Sequence, residues 1–450
     1  MSTPRLNIKI TKIISCEYKK APTFVRSLTD GHAMKRYSKV IALLLVSFLV
    51  TFHSYAQFPP AADSTASLSG KNATSTTDNH ENLDRNANIL LLNKTVQITS
   101  NDGIDAMYNF KFKIAEYQFK NLRKHYGWHP LPYFLLGLNE WWQLLPYVDN
   151  KYHDEAFFAY MDTSLVLAKR IYKEVNKIEG AFFLAATQAF RGRLLGERGK
   201  WRKAAFASKS AMNWLEDCRG NEEFSPEILF GDGLFNYYVE WVPENYPMLK
   251  PFMLIFPDGD KKKGIEQLRK VTQNAFYTRT EAKYFLMRIL SEEENNVFAA
   301  LEIARDLHET YPDNAYFHRY YAKILYQLGH HKKLEEVCNE IIERIEEGDA
   351  GYEGNSGRYA SFFLGQVYEA RGELKKAEDN YLLAVVFGDD LGLQDKGYYL
   401  YSLLNLGQIA EKQKDFKKAY EYYQSLKNHG KKHKTGKIAK TRIKKLKKLI

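Results

Sequence analysis

Few side chains in this chain stand at spacings that support catalysis or metal chemistry. His308 and Glu309 open the pattern His-Glu-x-x-His, which sets two imidazoles on one helix face around zinc, but position 312 is Pro. His125 with His129, and His330 with His331, likewise lack a helix-facing partner with an intervening Glu. Asp258, Gly259 and Asp260, taken with Asp232, suggest a calcium loop. An EF-hand needs acidic side chains at alternating positions and a Glu at the twelfth, and Lys261, Lys262 and Lys263 intrude instead. The expectation is therefore a turn in which an Asp caps the next helix. Of Cys16, Cys218 and Cys338, only the last two lie beyond residue 56, 120 positions apart and without Cys-x-x-Cys spacing. Two isolated buried thiols are expected rather than a disulfide or a zinc site. No nucleophile–base pair or phosphate loop is apparent, so the expected protein is not an enzyme and carries no cofactor. An enzyme with an irregular site at Gly231–Gly264 is the least supported alternative, and a cluster of buried, strongly perturbed carboxylates near that segment would revive it.

The aromatic residues are the other candidates. All six tryptophans fall between Trp128 and Trp241, where Tyr and Phe are also dense. Trp141, Trp142, Tyr237, Tyr238 and Trp241 are the candidate contacts for a partner, as an aromatic-lined groove stacking on peptide or glycan. The competing expectation is that they fill the interior between helices. Adjacent on a helix, Trp141 and Trp142 point about 100° apart, which would leave one of them outside.

Length and charge bound what these residues serve. The 450 residues are 45% hydrophobic and 26% charged, suited to a folded, helix-rich protein. The net charge of +11 is unevenly spread: residues 1–56 hold 9 basic against 2 acidic side chains, and residues 426–450 hold 11 basic and no acidic ones. The body between has 45 basic against 52 acidic residues. A mildly acidic body does not resemble a groove that follows phosphates, so nucleic acid is not an expected partner.

The N-terminus reads as an address. Met34, Lys35, Arg36 and Lys39 lead into the apolar stretch 40–52, and Ser54 and Ala56 supply the small residues that signal peptidase needs before Gln57. Residues 1–56 are expected to be a signal peptide whose true start is Met34, with an uncleaved signal-anchor as the alternative. Residues 57–88, rich in Ser, Thr and Asn, are expected to be a flexible linker.

Internal repeats decide the expected fold. Leu364, Gly365, Tyr368, Gly372, Ala377, Tyr381 and Ala384 form the best copy, and Leu406, Gly407, Ala410 and Ala419 a second. Tyr321, Ala322, Leu325 and Gly329 start a third, preceded by a unit with Tyr284, Met287, Ala300 and Pro312. Gly192, Leu195, Gly199, Trp201, Ala204 and Ala211 form another, and Gly103, Ala115, Phe119, Leu136 and Gly137 the weakest. Small residues are expected where the two helices of a pair approach, and Leu364, Tyr368 and Tyr381 in the gap to the neighbouring pair. The excess over a 34-residue period falls in the glycine-rich stretches 348–357 and 388–397, read as loop insertions.

This pattern resembles the tetratricopeptide repeat family. Gly231, Gly233, Trp241, Pro243, Gly259, Asp260, Lys261, Gly264 and Ile265 are similar to the tetratricopeptide repeat protein 39 and inclusion-body-clearance family. The resemblance implies an all-α, right-handed superhelix (a solenoid) of about seven or eight helix pairs over 89–426, broken at 243–262. It implies an adaptor role, with a protein or peptide held on a concave face. Residues 427–450 are expected to form a basic loop and a capping helix with Ile438, Ile443, Leu446 and Ile450 on one side, or to touch an anionic membrane. The function expected is an exported, non-catalytic scaffold of the cell envelope, periplasmic or secreted. The alternative is an envelope-associated carbohydrate-binding module using residues 128–241.

Overall fold

The computed structural model describes residues 89–148, 150–247, 250–253, 256–431 and 433–450. The signal peptide and linker expected for 1–88 lie outside the described residues.

Helix signals in the sequence translate directly into elements. The helices are α1 (Lys94–Tyr108), α2 (Phe112–Tyr126), α3 (Pro130–Leu144), α4 (Asp154–Glu174), α5 (Lys177–Glu197), α6 (Trp201–Glu216), α7 (Ile228–Asn245), the four-residue α8 (Lys250–Met253) and α9 (Lys261–Asn274). They continue as α10 (Arg279–Arg288), α11 (Val297–Thr310), α12 (Ala315–Leu328), α13 (His331–Glu347), α14 (Gly354–Ala370), α15 (Leu374–Asp390), α16 (Gly397–Lys412), α17 (Phe416–His429) and α18 (Lys434–Leu446). No strand occurs among the described residues. Side chains that satisfy the first free backbone N–H groups mark many starts: Asn93, Asn176, Asp260, Asn296, Asn314 and Asp415 all accept from the first turn. Asp260 does so from Lys263 N at 2.9 Å, the cap expected from the sequence.

Successive helices pack on one another along most of the chain, and α7 passes over α8 to reach α9. First helices of consecutive pairs also touch, α3 on α5 and α12 on α14. Inside three of the pairs a glycine admits a ring. A Cβ on Gly365 would stand 2.5 Å from Tyr381, one on Gly407 2.6 Å from Tyr423, and one on Gly103 2.6 Å from Phe119. Tyr381 thus fills the seam within its own pair, not the gap to the next, because the missing Cβ is what makes room for the ring. Gly233 and Gly264 go further: each would push a Cβ into the other's carbonyl oxygen, so α7 and α9 meet backbone to backbone.

Several boundaries differ from expectation. Pro243 lies inside the last turn of α7, so the irregular stretch starts after Asn245 and ends at Asp260. Much of the glycine-rich excess is helix: α14 begins at Gly354 and α15 runs through Gly388 to Asp390. On α18 the buried face is Ala439, Ile443 and Leu446, whereas Ile438 and Ile450 are exposed. That face caps Tyr423 and Leu426 of α17 and leaves Lys437, Lys440, Lys444 and Lys445 in solvent.

The chain also closes on itself. Asn314 Nδ2 donates to Tyr108 O at 2.7 Å, Asp313 N donates to Asn109 Oδ1 at 2.9 Å, and Lys111 pairs with Asp313 at 3.3 Å. Trp142 packs among Tyr108, Tyr284, Tyr316 and Phe317, with centroids 5.2–6.4 Å apart. Phe110 adopts a left-handed backbone (φ 57°) and presses on Gly351, where a Cβ would lie 2.3 Å away. These contacts span up to 206 residues, whereas units of an open repeat array touch only neighbours.

Candidate functional site

The succession of helix-on-helix packing thins between α6 and α7, where Leu215 meets Gly231, and an apolar cleft of about 300 Å³ opens there. Five helices supply most of its wall, and Leu91, Cys218, Glu227, Tyr277 and Thr278 join from segments outside them. On α5, Phe182, Ala186, Ala189, Phe190 and Arg193 recur at helical spacing; Glu281, Phe285 and Arg288 do the same on α10, with Tyr277 and Thr278 in the turn before it. Leu131, Phe134, Leu135 and Leu138 come from α3, Ser208, Ala211, Met212 and Leu215 from α6, and Leu234, Phe235 and Tyr238 from α7. Small side chains on α5 and α6 leave the space that the surrounding phenylalanines do not fill.

Three buried glutamates fix the frame. Glu227 accepts from Phe276 N, Tyr277 N and Thr278 N at 2.6–2.9 Å, closing the turn into α10. Glu179 accepts from Leu91 N at 2.7 Å and faces His129 Nε2 at 3.3 Å, with both side chains fully buried. Glu281 accepts from Trp142 Nε1 at 3.1 Å. Burial pushes the Glu281 carboxyl upward, against the pull of Arg193 and the Trp142 N–H. The Arg193 guanidinium lies 4.4 Å over the Trp141 ring and 5.8 Å from Phe285, which turns its flat face to the apolar wall.

Behind α7 lies a second polar layer. One turn of π-helix, Ile289–Glu293, follows α10 and sets Glu292 and Glu293 beside Arg288. Tyr238 donates to Glu293 Oε1 at 3.1 Å and Tyr237 to Glu294 Oε1 at 2.5 Å. Burial raises Glu293 to about 7, opposed by Arg288 and Tyr238, and burial also raises Asp232, which Arg219 holds at 2.8 Å. Perturbed carboxylates therefore do stand near Gly231–Gly264. Yet Glu293 is absent from the cleft wall, to which Tyr238 contributes. Cys218 lines the cleft, but burial pushes its thiol up to about 12, so it is not ionised near neutral pH.

The five aromatic residues offered as partner contacts are all interior: Trp141, Trp142 and Tyr237 are 0% exposed, Tyr238 4% and Trp241 8%. As a surface ladder this set is corrected, because both neighbouring tryptophans are enclosed, Trp141 by Phe157 and Phe190 and Trp142 by the closing contact with α12. Tyr238 alone of the five lines the cleft. Sequence reading missed Phe134, Phe182, Phe190, Arg193, Glu281 and Phe285. Their available signal was an apolar helix face carrying one charge, which any core helix with a buried ion pair also shows. No family model matches this chain, and no curated protein matches its sequence.

Proposed function

We propose that the chain is a non-catalytic exported scaffold of the cell envelope: a right-handed tetratricopeptide-type superhelix that holds a protein partner by an apolar segment inserted between α6 and α7. The glycine-against-ring seams within pairs and the contacts between first helices of consecutive pairs support the superhelix. The observation that carries the binding reading is the cleft itself: about 300 Å³, open to solvent, walled by Leu, Phe, Ala and Met, and close to the lower size of ligand pockets. Elsewhere the contacts with α10 and α12 are filled by the chain's own rings around Trp142. Export is supported by the 34–56 segment alone. No described helix is long and apolar enough to cross a membrane. Peripheral contact with an anionic bilayer is the proposed use of the exposed lysines of α18.

A photo-crosslinking residue at Ala186, with Ala211→Trp as a plug, tests this. The expected outcome is one reproducible envelope protein crosslinked at 186, lost from co-purification in the plugged variant at unchanged thermal stability. Co-purification that ignores the plug would refute it. A second reading, a small apolar ligand, is favoured by how few polar side chains the wall contains. Solvent extraction of the native protein would then release one amphiphile in stoichiometric amount, and the plug would abolish it. The carbohydrate reading needs aromatic faces open to solvent, and among the described tryptophans Trp128, at 38%, is the one classed as exposed.

A further inference from the structure

We propose that His308, His318 and Glu340 form a binding site for one zinc-class divalent transition-metal ion. The three residues come from three successive helices, α11, α12 and α13, and their ligand atoms all lie within 4.8 Å of one another. Around tetrahedral zinc, with ligand bonds of about 2.0–2.2 Å, such atoms stand about 3.3 Å apart. The proposed ion requires the half-buried His308 and Glu340 side chains to rotate toward His318 Nε2, the His308 ring leaving its stack.

Packing explains part of this cluster and leaves part unexplained. The His308 ring stacks on His318 at 4.3 Å and on Tyr321 at 5.2 Å, as expected of two imidazoles used as interior rings. However, His308 Nδ1 and His318 Nε2 are buried without any hydrogen-bond partner, and His318 is 0% exposed. A protein interior rarely leaves such atoms unsatisfied. His318 Nε2 faces Glu340 Oε2 at 3.8 Å, too far for a hydrogen bond and open to an ion between them.

The surroundings prepare the ligands. Tyr352 Oη lies 2.9 Å from His318 Nδ1 and 3.4 Å from Pro312 O. With its proton directed to Pro312 O, the hydroxyl accepts from Nδ1–H, which leaves the Nε2 lone pair free. A ligating histidine is oriented by its other nitrogen in this way. Glu340 Oε1 is held by Arg344 Nε at 3.2 Å, which leaves Oε2 for the metal. Burial lowers both imidazoles, with Lys333 and Arg344 adding to the effect and Glu340 opposing it at His308. Two imidazoles and one carboxylate leave a fourth position for water, a donor set that suits zinc and its neighbours better than calcium or magnesium. In sequence the ligands are 10 and 22 residues apart, outside the His-x-x-x-His spacing of a single-helix site.

The test is zinc titration of the tag-free mature chain after chelator treatment, followed by calorimetry, with cobalt as the spectroscopic probe. One equivalent should bind, and cobalt should give tetrahedral absorption bands. His308→Gln and Glu340→Gln should each weaken zinc at least tenfold. Tyr352→Phe, which cannot touch the metal, should weaken it about tenfold through the freed Nδ1. His330→Ala and His331→Ala should leave affinity unchanged. No saturable one-equivalent binding, or undiminished binding in folded His308→Gln and Glu340→Gln, would overturn the proposal. Circular dichroism and thermal melts establish that each variant is folded.

Discussion

Replacing Glu293 by Gln should change how stability depends on pH more than it changes stability itself. Burial holds the Glu293 carboxyl at about 7 in the folded chain, against an ordinary value of 4.5. Between those values the native state keeps a proton that the unfolded state has released, so stability falls as pH rises through the window and is level above it. For this one group the loss between pH 5 and pH 8.5 is about 2.5 kcal/mol, from about 1.4 kcal/mol for each pH unit separating the two states. Gln keeps the oxygen that accepts from Tyr238 and carries no charge at any pH. Glu281, shifted in the same direction, and His308 and His318, shifted so as to give the opposite slope, are present in both proteins and cancel in the difference. Urea unfolding of both proteins, followed by tryptophan fluorescence at pH 5, 6, 7 and 8.5, measures it. The variant should gain about 2.5 kcal/mol on the wild type across that range. Parallel profiles, within about 0.5 kcal/mol, would show that Glu293 is not held protonated by its surroundings.

Other expectations concern closure, the interior and processing. Gly351→Ala should cost roughly 2–5 kcal/mol, combining a left-handed backbone with a Cβ driven into Phe110. Gly348→Ala, with φ 78° and open space around it, should cost about 1–2 kcal/mol, and thermal melts would separate the two. Trp142→Phe removes the N–H donated to buried Glu281 and should cost about 1–3 kcal/mol in urea unfolding. Cys218 and Cys338 should both resist a thiol reagent in the native protein and react on unfolding, since burial raises both thiols. The proposed export predicts Gln57 as the N-terminus of the native protein, which mass spectrometry reads directly.

The helical class, the small residues at the seams within pairs, and the Asp260 cap were legible because each follows from residues a few positions apart or one hairpin apart. The spacing marks Gly365 as a seam residue but assigns Tyr381, 16 residues on, to the gap between pairs, because which side a large ring turns to depends on the packed partner. The glycine-rich stretches were misjudged because a helix end depends on whether the next turn finds something to bury against, as Gly354 and Gly357 do at Phe387. Trp141 and Trp142 could not be sorted from sequence either: helical geometry sends them in different directions, but only the return of the chain encloses the second.

What the sequence alone determined is the repeating local unit: amphipathic helices, their caps and the small residues at their seams. What the tertiary structure decided is where those units end up relative to distant ones. The ties between Tyr108 and Asn314 depend on how the helices between them pack, while the cleft between α6 and α7 and the meeting of His308, His318 and Glu340 depend on the angles at which neighbouring helices meet. No local residue pattern encodes those angles, because each is set by side chains from two or more helices packing together.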